Sequence, residues 1–491
     1  MYILAFDIGT SGIKTSLVSD KGKITDAASY EYPIISNASG WAEQDPETWW
    51  KGACVTANLL HDRNALLWKD IAVIGVCGHM LGCIPVDSKG VPLAPAILHA
   101  DTRSGCETEE IAKTIGRENL YHRTGSILSE QVSLSKIMWI KNQKPEIYAK
   151  TARFLQSKDY LVSKMTGNID ITDFSDASHA QLIDIHSKKY LNDVFQELSL
   201  DGSKFPAIYK GTDVVGKVTK QAAESLNLQE GIPVIAGGGD GACASIGSGV
   251  TTAKGEVYCC IGTTAWLAYQ SKTPVIDSKS RIFDIMSLDG ESFGIFGTMQ
   301  SAGKSIDWAC ELLGIENGVQ FDIEAQRAPE GSQSLIFLPY LDGERSPVFD
   351  AKARGMFFRI DAEHRKEHFA RSVLEGVSFA LRSILEVFRE TKPISDIRVI
   401  GGGANSSLWM QILSDICHTG IYGTDAYSSS ITSLGVALAA AVGIGAYKNL
   451  DEASAEITVS RKNGYREEFR PLYDDLFDQY MKLYPLVKPL F

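Results

Sequence analysis

Ile3-Leu4-Ala5-Phe6-Asp7-Ile8-Gly9-Thr10-Ser11-Gly12-Ile13-Lys14-Thr15-Ser16-Leu17-Val18 reads as a strand, a turn through Gly-Thr-Ser and a second strand. The pattern is written again as Val257-Tyr258-Cys259-Cys260-Ile261-Gly262-Thr263-Thr264-Ala265-Trp266-Leu267-Ala268, so that Gly262 answers to Gly9 about half the chain later. Such a turn presents backbone N–H groups and hydroxyls, and its glycine lets a phosphate approach the backbone. One turn in each half predicts a duplicated fold closing on a polyphosphate from both sides. Asp7 and Lys14 occur only in the first copy, where the chemistry would differ. Two unrelated β-hairpins are the plainer reading, because Gly-Thr is a common turn pair.

Outward from the first copy, strands are expected at about 2–7, 14–19 and 23–31. Asp45-Pro46-Glu47 starts a helix, with Asp as N-cap, Pro at the first position and Glu in the first turn. Ile71–Cys77 is a continuous apolar run, suited to a strand covered on both faces. A second hairpin is expected to turn at Asp87–Gly90, and a helical, more polar stretch to fill about 101–200. Pro233–Ala236 is a buried strand entering a glycine run. The second half repeats the order, with strands at about 255–270, 293–299 and 397–400. A small-residue helix at Ser433–Ala446 is suited to close packing. Leu472, Tyr473, Leu476, Phe477, Tyr480, Leu483 and Tyr484 form one face of a last helix, expected to pack on the body. The boundary is expected near 245–255, dividing the chain into 1–247 and 248–491.

At 491 residues the chain exceeds what one hydrophobic core usually supports, so two large domains are expected. A net charge of −12 disfavours nucleic acid and anionic membrane as partners, yet leaves room for a phosphate ligand held by a few local donors. The nine cysteines are scattered without a C-x-x-C pair, as free thiols in a reducing compartment would be. The chain opens on a strand instead of a basic-then-apolar leader. No apolar run reaches the roughly 18–20 residues of a membrane span. A cytoplasmic protein is the expectation.

Four clusters could carry chemistry. Gly237-Gly238-Gly239-Asp240-Gly241-Ala242 follows a buried strand, where α/β sheets bind ligands; its carboxylate can accept a proton from an attacking hydroxyl. The same stretch fits a loose dinucleotide fingerprint with Glu256 as ribose ligand, or a merely structural turn. Gly78-His79-Met80-Leu81-Gly82 closes the strand ending at Cys77, and His99-Ala100-Asp101-Thr102-Arg103 is a polar set after an apolar one. Together they supply the interleaved donors and acceptors that a polyol needs, although each alone is as readily a turn or an ion pair. Gly401-Gly402-Gly403-Ala404-Asn405-Ser406 follows a strand and can expose backbone to a nucleotide. A Walker A lysine motif is absent, which argues against a P-loop ATPase.

These residues, in this order, resemble the FGGY family of carbohydrate kinases. The resemblance rests on Asp7-x-Gly9-Thr10-Ser11, Gly40-Trp41-x-Glu43-Gln44-Asp45-Pro46, the Gly239-Asp240 turn, Leu338-Pro339-Tyr340-Leu341-x-Gly343-Glu344-Arg345-x-Pro347 and Gly401-Gly402-Gly403-Ala404. Glu43–Trp50 and Ser157-Lys158-Asp159-Tyr160-Leu161 are most similar to the xylulose kinases within it. The resemblance implies an α/β protein of two actin-like (ribonuclease H-like) domains with ATP and sugar in the cleft between them, the first binding sugar and the second nucleotide. It implies Asp240 as general base and Asp7 beside Mg²⁺ and the γ-phosphate, with Thr10, Ser11 and Lys14 around the transferring group. Gly262 and Thr263 would meet the phosphates, and Gly402, Gly403 and Asn405 the adenosine. His79, Met80, Asp101 and Asp240 would line the sugar pocket. Such enzymes are often dimers, so a homodimer is an expectation.

Three positions depart from the pattern. Xylulose kinases tend to have Gly-Gln-Met-His-Gly where this chain has His79 before Met80 and Leu81 after it. They have Trp-Asn-Asp where it has His99-Ala100-Asp101, and the family usually has glycine where Arg359 stands. The first two lie in the implied sugar pocket, where one hydrogen-bonding residue can change specificity by roughly 10⁴-fold. They leave the substrate open among a ketopentose such as D-xylulose, gluconate, and another ketose or polyol. An actin-like ATPase without a sugar substrate would share the Gly-Thr turns and Asp7, but would have no need of His79, Asp101 and Asp240.

Overall fold

The computed structural model describes every residue except 251, 253–255 and 425–429. The first sheet contains β1 (Tyr2–Ile8), β2 (Gly12–Ser19) and β3 (Ile24–Glu31). After α1 (Pro46–Arg63) the chain returns through β4 (Ile71–Gly78). Helices α2 (Ser133–Gln143), α3 (Ser157–Thr166) and α4 (Phe174–His179) lead to β5 (Val214–Lys217), β6 (Pro233–Ile235), the short β7 (Gly238–Gly239) and α5 (Asp240–Gly247).

The second sheet contains β8 (Val257–Ile261), β9 (Ala265–Ser271), β10 (Phe283–Met286) and β11 (Phe293–Met299). Helices α6 (Gly303–Leu313) and α7 (Lys366–Arg389) precede β12 (Asp396–Ile400) and β13 (Gly420–Thr424). Then come α8 (Ile431–Gly443), β14 (Val459–Asn463) and α9 (Arg470–Val487).

Both sheets have seven strands, ordered β5-β6-β4-β1-β2-β3, with β7 also on β4, and β10-β11-β9-β8-β12-β13-β14. In the first, β1 pairs antiparallel with β2 and parallel with β4, and β4 pairs parallel with β6. In the second, β8 pairs antiparallel with β9 and parallel with β12, and β12 pairs parallel with β13. The two central arrangements are the same, so the repeated sequence is a repeated fold.

Strand β1 is apolar on both faces because each face meets a different core. Leu4, Phe6 and Ile8 pack with Trp49, Ala53 and Leu60 of α1 and with Tyr160 of α3. Ile3 and Ala5 share another core with Val73 and Cys77 of β4, Cys243 and Ile246 of α5, and Leu434 and Val436 of α8. That second core also includes Tyr258, Ala268 and Phe296 of the other sheet, so it joins the two halves. Helix α1 starts as its sequence dictates: the Asp45 carboxylate accepts from Glu47 N–H, and Pro46 holds the first position.

Helices α5 and α8 cross at glycines. A Cβ on Gly435 would lie 1.8 Å from the Cys243 carbonyl oxygen, and one on Gly247 would lie 2.0 Å from that of Ile431. The expected small-residue helix is thus the close-packing one, although it begins at Ile431. The terminal helix buries Tyr473, Leu476, Phe477, Tyr480 and Leu483.

The structure differs from expectation in three places. The hairpin at Asp87–Gly90 reduces to a turn closed by one bridge, Val86 to Pro92, because Ile84–Val86 pairs with Arg153–Leu155 instead. The stretch 101–200 is helical, but α2 and α3 bury most of their residues. The glycines after β12 form a 3-10 turn, Gly402–Asn405, before the helix Ser407–Cys417 begins. The expected linker at 245–255 includes 251 and 253–255, which lie outside the described residues.

Candidate active site

Strand register brings the first carboxylate to the cleft. Asp7 stands opposite Lys14 in the β1–β2 pair, and the turn between them is closed by Gly9 N–H donating to the Gly12 carbonyl at 2.9 Å. Two distant residues hold the same turn. The Tyr32 hydroxyl donates to the Gly9 carbonyl at 2.7 Å, and Gln44 Nε2 donates to the Thr10 carbonyl at 2.7 Å. Thr10 is left half-buried and Ser11 exposed, free to meet a ligand. Burial raises the Asp7 carboxyl above its ordinary range, against hydrogen bonds from Thr432 and Cys77 and the Lys14 charge. Thr432 is on α8, so the late part of the chain reaches the first carboxylate directly. Burial lowers Lys14, and the Asp7 charge resists this.

Asp240 opens α5, where Gly241 N–H donates to its Oδ1 at 2.7 Å. Burial, and then the neighbouring Asp7 charge, push its carboxyl up to about 7 despite that donor. A buried carboxyl raised further by a neighbouring carboxylate is a functional signature. The second half reaches the same point through β8: burial and the Asp240 charge push the Cys260 thiol up to about 12.

The Gly262-Thr263 turn is built like the first, with Gly262 N–H donating to the Thr264 carbonyl at 2.9 Å. The entry to α6 braces it: Gly303 N–H donates to the Gly262 carbonyl at 2.9 Å and Ala302 N–H to that of Thr263 at 2.9 Å. Gly401 has φ 87°, and a Cβ there would strike the Ile261 carbonyl oxygen at 2.5 Å. That contact sets Gly402, Gly403 and Asn405 beside the Gly262 turn, with Gly402 and Asn405 exposed.

The loop after β4 is held by its carbonyls. Ser157 Oγ donates to that of His79 at 2.9 Å, Lys136 Nζ to that of Leu81 at 2.7 Å, and Ser133 Oγ to that of Gly82 at 2.8 Å. Leu81 adopts φ 63°, a left-handed conformation costly for a bulky side chain and of the kind found at ligand sites. Met80 touches the base loop: a Cβ on Gly239 would be 2.4 Å from Met80 Sδ. The His79 ring lies edge-on to Trp49 at 5.3 Å, and neither of its nitrogens has a hydrogen-bond partner among the described residues. Burial, then the charges of His99 and Lys136, push His79 down to about 3, so it is neutral. Lys136 Nζ is held by the Leu81 and Gln131 carbonyls and is pushed down to about 7, chiefly by burial.

Asp101 has a different neighbourhood from the one expected. Its carboxylate accepts from Ala42 N–H at 2.6 Å and from Arg103 Nη2 at 2.7 Å, and Arg103 pairs with Glu43 at 2.7 Å. The two sequence clusters around 40–46 and 99–103 are thereby knitted together, and Asp101 is occupied by protein. His99 lies beside His79 with ring centroids 6.1 Å apart. Burial, then the charges of Lys136 and Arg345, push it down to about 4. Arg345, from the second half, is lowered by burial against the neighbouring Glu344 charge, and its own charge also reaches His179. A cavity of about 550 Å³ lined by Lys210, Thr212, Lys272, Glu291 and Lys448 contains none of these residues.

Sequence reasoning did not find Tyr32, Lys136 or Thr432, and it quoted Gln44 only within a family motif. Each acts on a backbone or carboxylate far away in the chain, and no local spacing announces that. No helix among the described residues is long and apolar enough to cross a membrane.

Residues 2–247 match the N-terminal domain of the FGGY family of carbohydrate kinases, and residues 257–444 match its C-terminal domain. A xylulose kinase of Bacillus subtilis (strain 168) is 32% identical over 492 residues, covering 100% of this chain and 98% of the relative. A gluconokinase of the same organism is 27% identical over 500 residues, covering 99% and 96%. Among solved structures, the ligand-bound xylulose kinase from Lactobacillus acidophilus superposes with a TM-score of 0.93 at 25% identity, covering 99% of this chain and 98% of that one.

Proposed function

The chain belongs to the FGGY family of carbohydrate kinases, and we propose that it transfers the γ-phosphoryl group of ATP to a hydroxyl of a ketopentose, D-xylulose first. It is an ATP-dependent sugar kinase. The observation that carries the mechanism is Asp240, a carboxyl pushed up to about 7 by burial and by the charge of Asp7. A base with a pKa near the working pH combines availability with driving force. In this reading Asp240 takes the proton as the sugar oxygen bonds to the γ-phosphorus. The bond from that phosphorus to the β–γ bridging oxygen breaks, and ADP leaves with the electron pair. Phosphoryl transfer asks the protein mainly for alignment and charge stabilisation.

Asp7 fits a Mg²⁺ site, since the ion commonly takes one or two carboxylates and completes its shell with phosphate oxygens and water. Held there, Mg²⁺ would neutralise charge on the transferring group. Thr10, Ser11 and Lys14 meet the γ-phosphate from the first turn, and Gly262 and Thr263 from the second. Gly402, Gly403 and Asn405 take the adenosine, while His79 and Met80 face the sugar. Asp101 acts behind them, fixing the loop through Arg103 and Ala42. The division lies at 247/248, sugar side first and nucleotide side second. Nine unpaired thiols suit the cytoplasm.

A second reading, an aldonate such as gluconate, is favoured by one observation. Arg345, Lys136 and three neutral histidines, His79, His99 and His179, bring several donors to the sugar end. ATP consumption with Mg²⁺ against ketopentoses, aldonates and polyols decides between them, with Asp240→Asn as control. High kcat/KM for D-xylulose, lost by about 10²-fold or more in the control, is the expected result. Higher kcat/KM for an aldonate selects the second reading. Sugar-independent hydrolysis that survives the substitution overturns both in favour of an actin-like ATPase.

A further inference from the structure

Behind the base loop lies a buried charge cluster that phosphoryl transfer does not touch. Lys158 of α3 contacts Asp159, and its Nζ lies 3.0 Å from Asp173 Oδ1 and 3.3 Å from Asp176 Oδ2, all of them buried. Burial raises the Asp176 carboxyl well above the usual carboxylate range, against the Lys158 charge. The other Asp173 oxygen is committed to Ser175, accepting from its N–H at 2.8 Å and from its hydroxyl at 2.6 Å. With its own proton directed at Asp173, the Ser175 oxygen can only accept from its other side, and it accepts from Gly239 N–H at 2.9 Å. Gly239 immediately precedes Asp240. A hydroxyl therefore fixes the entry to the base from one side, and the Met80 thioether from the other.

The same short helix, α4, reaches the other sheet. Ser178 Oγ accepts from Met286 N–H of β10 at 3.1 Å and donates to the Ser175 carbonyl at 3.0 Å. The His179 ring stacks on Phe283 of β10 with centroids 5.2 Å apart. Two contacts thus tie α4 to the second half, and one ties it to the loop that presents Asp240.

We propose that α4 is a strut carrying the position of β10 to the base, with Ser175 as the positioning residue that sets where Asp240 stands. This rests on the reading of Asp240 as general base. Movement of the second half displaces β10, and Ser178, Ser175 and Gly239 pass the displacement to the carboxylate. The base is then in place only when the two halves are correctly disposed.

The test is steady-state kinetics of Ser175→Ala, Ser175→Thr, Ser178→Ala and Asp240→Asn in the full chain, with melting temperatures. Misplacement of a reacting group by about 1 Å costs on the order of 10²-fold. Ser175→Ala is accordingly expected to lose about 10–100-fold in kcat. Its KM values for sugar and ATP should stay put while the acid limb of its kcat/KM profile moves. Ser175→Thr keeps the hydroxyl and should restore most of the rate. Ser178→Ala should lower kcat in the same direction by less. A merely structural role would lower the melting temperature and leave kcat and the pH limb unchanged; that result for Ser175→Ala, with Asp240→Asn inactive, overturns the strut. Should Ser175→Ala fail to fold, wild-type kcat in Ser178→Ala overturns it equally. Wild-type turnover in Asp240→Asn would remove the base reading itself, and the strut with it.

Discussion

Asp240 titrates where the enzyme must work, and two opposite consequences follow from one shift. Ionisation switches the base on, so kcat/KM should rise with pH through about 7. Asp7→Asn removes the like charge and should move that limb to lower pH, read from residual kcat/KM or from carbon NMR of the carboxyl. Stability runs the other way. The folded protein keeps a proton on Asp240 that an unfolded chain gives up near 3.8, so this group's contribution declines as pH rises from about 4 to about 7. Asp240→Asn should therefore melt higher than the parent at pH 8 and lose that advantage at pH 4. Arg359 shows a different balance. It sits at φ 69°, the left-handed region that explains why the family prefers glycine, and its guanidinium donates to Gln479 of α9 at 2.9 Å. Arg359→Gly should be more stable than Arg359→Ala by about 1 kcal/mol in urea denaturation, since both lose the bond and only alanine keeps the strain.

Among the elements, the loop after β4 shows most clearly what a sequence does and does not disclose. Its place at the end of a buried strand was legible, because apolar runs and glycines signal such positions locally. Its support was not, because Ser157, Lys136 and Ser133 approach it from helices tens of residues away. Asp101 shows the same limit: its residue type suits a sugar, and its partners Ala42 and Arg103 become visible only in three dimensions. Lys136→Met should raise KM for the sugar by about tenfold with little change in KM for ATP, since Leu81 would lose its clamp. Equal change in both would mean that the loop serves the whole cleft. The α5–α8 crossing was legible as a small-residue helix. Gly435→Ala, driving a methyl to 1.8 Å from a carbonyl oxygen, should destabilise the fold by about 1–3 kcal/mol in chemical denaturation.

At the scale of the molecule, the repeat was readable because each copy keeps the same strand–turn–strand rhythm. The contact that makes the copies one enzyme was not. Thr432 meets Asp7 across 425 positions of chain, and pairing at that distance leaves no periodic trace. If the cleft closes on its substrates, adding D-xylulose and a non-hydrolysable ATP analogue should shrink the radius of gyration in solution scattering, while either ligand alone should do less. The core shared by Ile3, Val73, Ile246, Val436, Tyr258 and Phe296 bears on how the protein can be divided. A fragment ended at residue 247 would present to water the sheet face that α8 normally covers. Fragment complementation here should therefore succeed only when the second piece includes residues 431–443, and neither piece should be soluble by itself. The two family-model matches meet in one stretch of sequence, and that shared core packs residues from both sides of it.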